Sequence, residues 1–516
     1  MDKAEHTERS GGSRVRVRRL GIDTRQEPVI YLRSDSPVCR AEGFEAQTRV
    51  EVRGEQQTIV ATLNMVASEV ANGTLLEPGE AGLSEVAWQR LGASSGDSVV
   101  VSHANPVSSL GYVRAKVYGH RLTDENFRAI CRDIVEGRWA DVHIAAFLAA
   151  CGGERLNGEE VASLTRAMRD VGQTIDWGRR PVMDKHCVGG LPGNRTTPLV
   201  VSIVAANGLC IPKTSSRAIT SPAGTADTMG VLTRVDLDLE EIRSVVEAHG
   251  GCFVWGGRAD LSPADEILNR VERSLDLDSE GQMVASVMSK KAAAGSSDVL
   301  IDIPVGQTAK VRSDKAASAL TELFEGVAGG LNMGLRVVQT DGQQPVGRGI
   351  GPALEARDVL AVLRRDAGAP VDLAERSVLL AGHLLEMGGV CSEGEGPSRA
   401  RETLESGEAM NKFRDICEAQ GALREPPTAP YQVPVTASRR GVVKRIDNRR
   451  IARVAKLAGA PEDPAAGLDL HVRIGDTVEE GDPLFTIHAE SRGERDYALD
   501  YLRAEEEHIF SVEEYE

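Results

Sequence analysis

The amino-acid sequence predicts an α/β protein: a mostly parallel sheet domain with a helical lobe, an N-terminal β-barrel-like domain and a C-terminal β-rich α+β domain. Three observations predict it. Alternating apolar and polar runs fill the start of the chain, and apolar residues at helical spacing follow them. After Trp177, strand-like and helix-like segments take strict turns, which is the pattern of a parallel sheet covered by helices on both faces. A chain of 516 residues also exceeds what one hydrophobic core serves. The expected boundaries are 1–107 for the barrel-like domain and 108–177 for the helical lobe, with a later contribution from about 261–295. The α/β phosphate-binding catalytic domain takes 178–430 and the C-terminal α+β domain 431–516.

In the first segment RVRVRRLGI and RVEVRG alternate, TIVATLNMV is a short apolar run, and GDSVVVSH follows a Gly-Asp turn. From Tyr112 the period changes. Thr123 is a good N-cap for a helix that carries Phe127, Ile130, Cys131 and Ile134 on one face, and Asn157 caps another carrying Val161, Leu164 and Met168. PVMDKH then predicts a strand, Pro198 to Asn207 a helix closed by Gly208, and LCIPKT the next strand. CFVWGG, DVLIDIPV and LRVVQTDG each follow a helical pattern. EPPTAPYQVP predicts a linker, VTASRRGVVKRI and LDLHVRIGDTVEEGDPLFTIH are β-rich, and the acidic tail RAEEEHIFSVEEYE is expected to be solvated.

A formal charge of −17 argues against a nucleic-acid groove or an anionic membrane surface, since either needs a basic field. No run approaches the length of a membrane span, and the first residues lack the apolar stretch of a leader. The eight cysteines at 39, 131, 151, 187, 210, 252, 391 and 417 show no pairing rhythm and no metal-ligand spacing. They point to reduced thiols in a cytoplasmic protein with no metal site.

Two loops carry the chemistry. Asp184 to Thr197, DKHCVGGLPGNRTT, joins a predicted strand to a predicted helix. It is no P-loop, because the lysine stands ahead of the glycines and Gly193-Asn194-Arg195-Thr196 follows instead of Gly-Lys-Ser/Thr. Gly189, Gly190 and Gly193 still permit close backbone approach, and a following helix offers free N–H groups to an anion. At the next strand end, KTSSRAITSPAGTADTM sets the hydroxyls of Thr214, Ser215, Ser216, Thr220, Ser221 and Thr225 around Arg217, again suited to oxyanions. Two such loops on adjacent strands put a ligand outside the carboxyl edge of the sheet.

D-K-H-x-x-G-G and S-x-R-x-x-x-x-x-x-G-T-x-D are the paired motifs of the thymidine and pyrimidine nucleoside phosphorylases, and the chain resembles that family. The longer forms, DKHCVGGLPGNRTT and SSRAITSPAGTADTM, are more similar still to AMP phosphorylase and its bacterial relatives. The resemblance covers nearly the whole chain. It implies a glycosyltransferase in which inorganic phosphate, a co-substrate, displaces the base from C1′ of a pentose, with no metal and no organic cofactor. A homodimer or larger homo-oligomer is implied too.

By motif position Lys185, Gly190, Thr197, Ser215 and Thr225 match the loops that hold the attacking phosphate. Ser216, Arg217, Ala218, Ile219, Thr220 and Ser221, with Thr225, match nucleotide-binding positions of AMP phosphorylase, and the two overlapping assignments stand side by side. Ser286 and Lys290 match two of three residues that grip a pyrimidine in thymidine phosphorylases, while Val271 occupies the position of the third, an arginine, with Arg270 one residue away. The AMP phosphorylase likeness instead makes Asp278 the proton donor to the leaving purine and Ser286 and Lys310 substrate contacts. His186 is a candidate to orient base or sugar, or a structural residue. Cys187 and Gly230 depart from the family pattern, standing where relatives carry a phosphate-binding serine and a glutamate. The implied reaction is phosphorolysis of a nucleoside 5′-monophosphate, AMP first, giving ribose 1,5-bisphosphate; the alternative is thymidine phosphorolysis.

Overall fold

Alternation at the start of the chain closes a barrel. The computed structural model describes residues 13–24, 26–44, 49–68, 73–218, 221–259, 261–275 and 279–514. Strands Ser13–Arg19, Glu80–Leu83, Val29–Arg33, Thr58–Val66, Arg49–Arg53 and Ser98–His103 follow one another around the barrel in that order. Every second side chain points inward, so Val15, Val17, Val50, Val52, Val99 and Val101 fill the centre while the intervening arginines face out. Helices Leu110–Val117, Asp124–Val135 and Asp141–Cys151 follow. Thr123 caps the second of them by accepting a 3.3 Å bond from the Asn126 N–H.

The chain divides into two compact units, Met1–Cys151 with Ile267–Leu277, and Gly152–Glu266 with Asp278–Glu516. The second unit includes the helix Gly158–Asp170, capped by Asn157 through a 2.8 Å bond from the Glu160 N–H. It also holds the parallel strands, in the order Gly334–Asp341, Asp298–Val305, Met183–Cys187, then Ile211–Ser215 and Gly251–Trp255. The expected parallel sheet is therefore present in two segments, three strands and two, joined by a single parallel bridge between Val182 and Cys210.

The helix Thr196–Ala206 is apolar on all sides because it is packed by the helices Val371–Met387 and Glu408–Ala419, and Leu199, Val200, Val201, Ile203 and Val204 are fully buried. It starts two residues ahead of the Pro198 that the sequence marks, which places Thr196 and Thr197 in its first turn.

The C-terminal region is β-rich with two helices, Asn448–Leu457 and Arg492–Ile509. Two expectations need correction here. Tyr431–Thr436 is a strand paired with Pro483–Ala489, so YQVP is not linker. The acidic tail is not solvated throughout: Phe510–Glu513 pairs with Gly441–Ile446, and Ile509 and Phe510 are buried. Burial of the adjacent Ile509 and Phe510, with the strand pairing, offsets the local charge.

Candidate active site

The second unit gathers charge inside two of its strands. Met183–Cys187 carries Asp184 and Lys185, and Ile211–Ser215 carries Lys213, all nearly free of solvent. Charged residues inside apolar strands are rare unless paired, and these are paired in part. Asp184 accepts from the Lys213 ammonium at 3.1 Å and the Lys291 ammonium at 2.8 Å, and from the Ser296 hydroxyl at 3.3 Å. Burial works to raise this carboxyl, and Lys213 and then Lys291 more than offset it, holding it below the usual carboxylate range.

Lys185 has no such clamp. Its ammonium donates to the Thr196 hydroxyl at 2.7 Å, and its carboxylate contact among the described residues is Asp302 Oδ2 at 4.0 Å. Burial makes the charge costly and pushes the ammonium below its ordinary value, with Asp302 opposing the shift and Arg195 adding to it. Three buried lysines therefore face two buried carboxylates, Asp184 and Asp302. The surplus cation stands beside the first turn of Thr196–Ala206, whose N-terminal N–H groups receive no side-chain cap. Such a place attracts an anion.

Glycines bring the backbone close. A Cβ on Gly190, at φ +80°, would lie 2.3 Å from the Lys310 amide nitrogen, and one on Gly193, at φ +70°, 2.2 Å from the Val346 carbonyl. The loop thereby brings Lys310 against Gly190. Thr197 lies buried beside Thr196, and Ser215 Oγ is buried with no hydrogen-bond partner among the described residues. An unsatisfied buried hydroxyl is a cost that a bound anion removes.

The second loop is held by Asp227, which accepts from the Ala218 N–H at 2.6 Å, the Gly224 N–H at 2.9 Å and Arg217 at 3.3 Å. Ser216, Arg217 and Ser221 are exposed, and the Arg217 guanidinium lies over the Trp255 ring at 5.1 Å. Arg195 joins this loop to the first, donating to Glu355 at 2.6 Å, to the Thr225 hydroxyl at 2.8 Å and to the Ala223 carbonyl at 2.9 Å.

On the helix Glu280–Ala293, Ser286 and Lys290 sit one turn apart. The Lys290 ammonium donates to Ser286 Oγ at 3.0 Å and to Asp265 at 2.8 Å. Its neighbour Lys291 reaches Asp184, so this helix is tied to the strand of Lys185 and His186. Val271 is buried, and Arg270 is committed to a double ion pair with Asp141 at 2.5 and 2.6 Å. Asp278, Ile219 and Thr220 lie outside the described residues.

Burial, then the ammoniums of Lys291, Lys213, Lys290 and Lys185, push the His186 imidazole well below its ordinary value of 6.5, so it is neutral at working pH. The unfolded chain protonates this histidine below about pH 6.5 and the folded one does not. Its stabilising contribution is thus full above that pH and is lost as pH falls toward the folded value, at up to about 1.4 kcal/mol per pH unit. His186→Gln is expected to remove that slope, so urea unfolding at about pH 7 and about pH 5.5 should show the variant losing less stability than the parent. Equal losses would mean that the imidazole titrates normally.

Cys187 accepts from the Asn194 amide at 3.3 Å, and its thiol is pushed up to about 12, by burial first and by Asp302 next. It is an inert thiol rather than a nucleophile. At Gly230 an added Cβ would meet Val235 Cγ2 at 3.8 Å, an ordinary contact.

Sequence reasoning overlooked Arg195, Asp227, Glu355 and the buried set Asp184, Lys213, Lys291 and Asp302 as site residues. For Asp184 and Lys213 a signal existed, a charge inside an apolar strand. Glu355 gave none, because its partner is 160 residues away.

Residues 111–172 match the glycosyl transferase family helical bundle domain, 179–410 the glycosyl transferase family a/b domain, and 442–507 the pyrimidine nucleoside phosphorylase C-terminal domain. Over 501 residues the chain is 60% identical to the "Putative thymidine phosphorylase" of Polaromonas sp. (strain JS666 / ATCC BAA-500), covering 97% of each. A protein of the same name from Hahella chejuensis (strain KCTC 2396) is 57% identical over 94% of this chain and 95% of its own. Among solved structures, anthranilate phosphoribosyltransferase (TrpD) from Thermus thermophilus superposes with a TM-score of 0.50 at 22% identity. The match covers 60% of this chain and 99% of that one, and it bears on the fold alone.

The helical and a/b glycosyl transferase domains, with the phosphorylase-named relatives, define a pentosyltransferase. Within that class the chain belongs to the pyrimidine nucleoside phosphorylase family.

Proposed function

We propose that the protein cleaves the N-glycosidic bond of a nucleoside 5′-monophosphate, AMP first, with inorganic phosphate, giving free base and ribose 1,5-bisphosphate. The observation that carries this reading is the presence of two sets of anion donors rather than one. The inner set is Lys185, Thr197, Ser215 and the uncapped helix start around Thr196. The outer set is Ser216, Arg217 and Ser221, exposed at the start of Thr225–Leu232. Phosphorolysis of a nucleoside needs one phosphate, whereas a nucleotide brings a second. The inner donors hold the attacking phosphate, with Gly190 and Thr225 at its edge, and the outer ones take the 5′-phosphate.

An oxygen of the inner phosphate forms the new bond to C1′ as the C1′–N bond breaks. The bond's electron pair leaves with the base. The sugar becomes cationic on the way, so an anion fixed within reach lowers the barrier. The base needs a proton, which the family resemblance assigns to Asp278, with Ser286 and Lys310 as substrate contacts and neutral His186 as a candidate to orient base or sugar. No metal and no organic cofactor takes part in this reading.

A second reading, thymidine phosphorolysis, draws on the printed name of the relatives and on the ready Ser286–Lys290 pair. Against it stands the absence of a free arginine at Val271, since Arg270 is paired with Asp141. Base release measured from AMP, CMP, UMP, adenosine, uridine and thymidine, with and without phosphate, decides. Phosphate-dependent release from AMP and not from thymidine is the expected result, with Asp278→Asn abolishing it. Release from thymidine alone would replace the first reading by the second.

A further inference from the structure

We propose that Arg195, held by Glu355, is a positioning residue that ties the two anion loops together and fixes the Thr225 hydroxyl as a hydrogen-bond donor to phosphate. The inference rests on the phosphorolytic reading above and deepens it.

The argument begins with the hydroxyl. A threonine hydroxyl has one hydrogen to give and two lone pairs to receive. Thr225 Oγ1 already receives Arg195 Nη1 at 2.8 Å. With a cation donating to the oxygen, the hydroxyl's own hydrogen turns toward an acceptor, and a phosphate oxygen is one. The same arrangement recurs on the first loop, where Lys185 donates to Thr196 Oγ1 at 2.7 Å. Each loop thus has one threonine oriented as a donor by one cation.

Glu355 makes this arrangement rigid. Its side chain is 1% exposed and that of Arg195 is 12% exposed. Its Oε2 receives Arg195 Nε at 2.6 Å and the Thr228 hydroxyl at 3.1 Å, and Thr228 lies one turn beyond Gly224 on the helix that Thr225 begins. Arg195 Nη2 meanwhile holds the Ala223 carbonyl at 2.9 Å. The guanidinium stands at the start of one helix and grips the start of the other, and its planar fork allows no slack. A phosphate held by donors from both loops needs their separation fixed to within a fraction of an ångström.

The test uses the full-length protein and inorganic phosphate as the probe. Phosphate binding is measured by calorimetry, and phosphate KM and kcat are measured in the base-release assay, for Arg195→Lys, Glu355→Gln, Thr225→Val, Thr225→Ser and the two double variants that carry Thr225→Val. Loss of one oriented donor is expected to weaken phosphate binding and raise phosphate KM by about tenfold, with kcat changed by less than about threefold. Thr225→Ser should recover most of the loss. Each double variant should be no weaker than its weaker parent, because Arg195 and Glu355 act through Thr225. Circular dichroism checks folding; if Arg195→Lys fails to fold, the Glu355→Gln and Thr225→Val pair answers the same question. Losses that multiply in the double variants, or folded single variants with unchanged phosphate binding, would overturn the proposal, as would a parent protein that binds no phosphate. A parent that binds phosphate but releases no base from any nucleoside or nucleotide would end the phosphorylase reading while calorimetry still decides the brace.

Discussion

Lys185→Met is expected to cost about 10²–10³ in kcat/KM, with most of the loss in phosphate KM, while leaving the protein at least as resistant to urea as its parent. The two expectations come from one feature. Lys185 is 1% exposed, its carboxylate contact is a long 4.0 Å, and its charge is kept in a place that costs free energy. Methionine nearly matches the volume of lysine and carries no charge, so the change removes that cost along with the anion's main partner. Opposite effects on activity and stability are the mark of a group retained for function. The measurement is a phosphate titration of base release beside a urea denaturation curve. A variant that keeps its phosphate KM would remove Lys185 from the site, and one that unfolds earlier would show the ammonium to be structural.

Asp184→Asn is expected to act in the other direction, destabilising the second unit by about 3–5 kcal/mol, because it strips two buried ammoniums, Lys213 and Lys291, of their shared counter-charge. The shape of the side chain is kept, so the loss reports charge. The linkage has a definite sign. The folded carboxyl is held below its ordinary value, so its contribution is complete above about pH 4 and disappears as pH falls through the folded value. Urea midpoints of parent and variant should therefore converge in acid. Ser296→Ala, which removes one uncharged donor from the same carboxylate, is the control at about 1.5 kcal/mol. A loss no larger than this control in Asp184→Asn would mean that the lysines find compensation elsewhere. Activity should fall as well, since Asp184 ties the strand that leads into the Asp184–Thr197 loop to Lys213 and Lys291.

Much of this was legible in the sequence, for reasons that differ by element. The barrel strands announce themselves by period-2 alternation because one face of each strand must be apolar, and the capped helices at Thr123 and Asn157 by a capping side chain followed by an apolar stripe. The two loops were legible through composition: glycines where a Cβ would strike Lys310 or Val346, and hydroxyls beside a cation. The tail misled because its acidic residues outnumber the two apolar ones that pair it to Gly441–Ile446, and pairing depends on a partner strand that local composition does not reveal.

What the sequence by itself determined is the order of strands, helices and the glycine- and hydroxyl-rich loops, since periodicity, caps and close-approach glycines are local properties of the chain. It also supplied the motif residues, Lys185, His186, Gly190, Ser215, Arg217 and Thr225. The tertiary structure alone decided which charges face each other. Glu355 meets Arg195 across 160 residues, Lys291 and Lys213 converge on Asp184, and Arg270 turns to Asp141 instead of standing free. Such pairings follow from burial. Once packing takes a charge out of water, its energy is set by whatever the fold has brought within a few ångströms, and no local pattern encodes that distance.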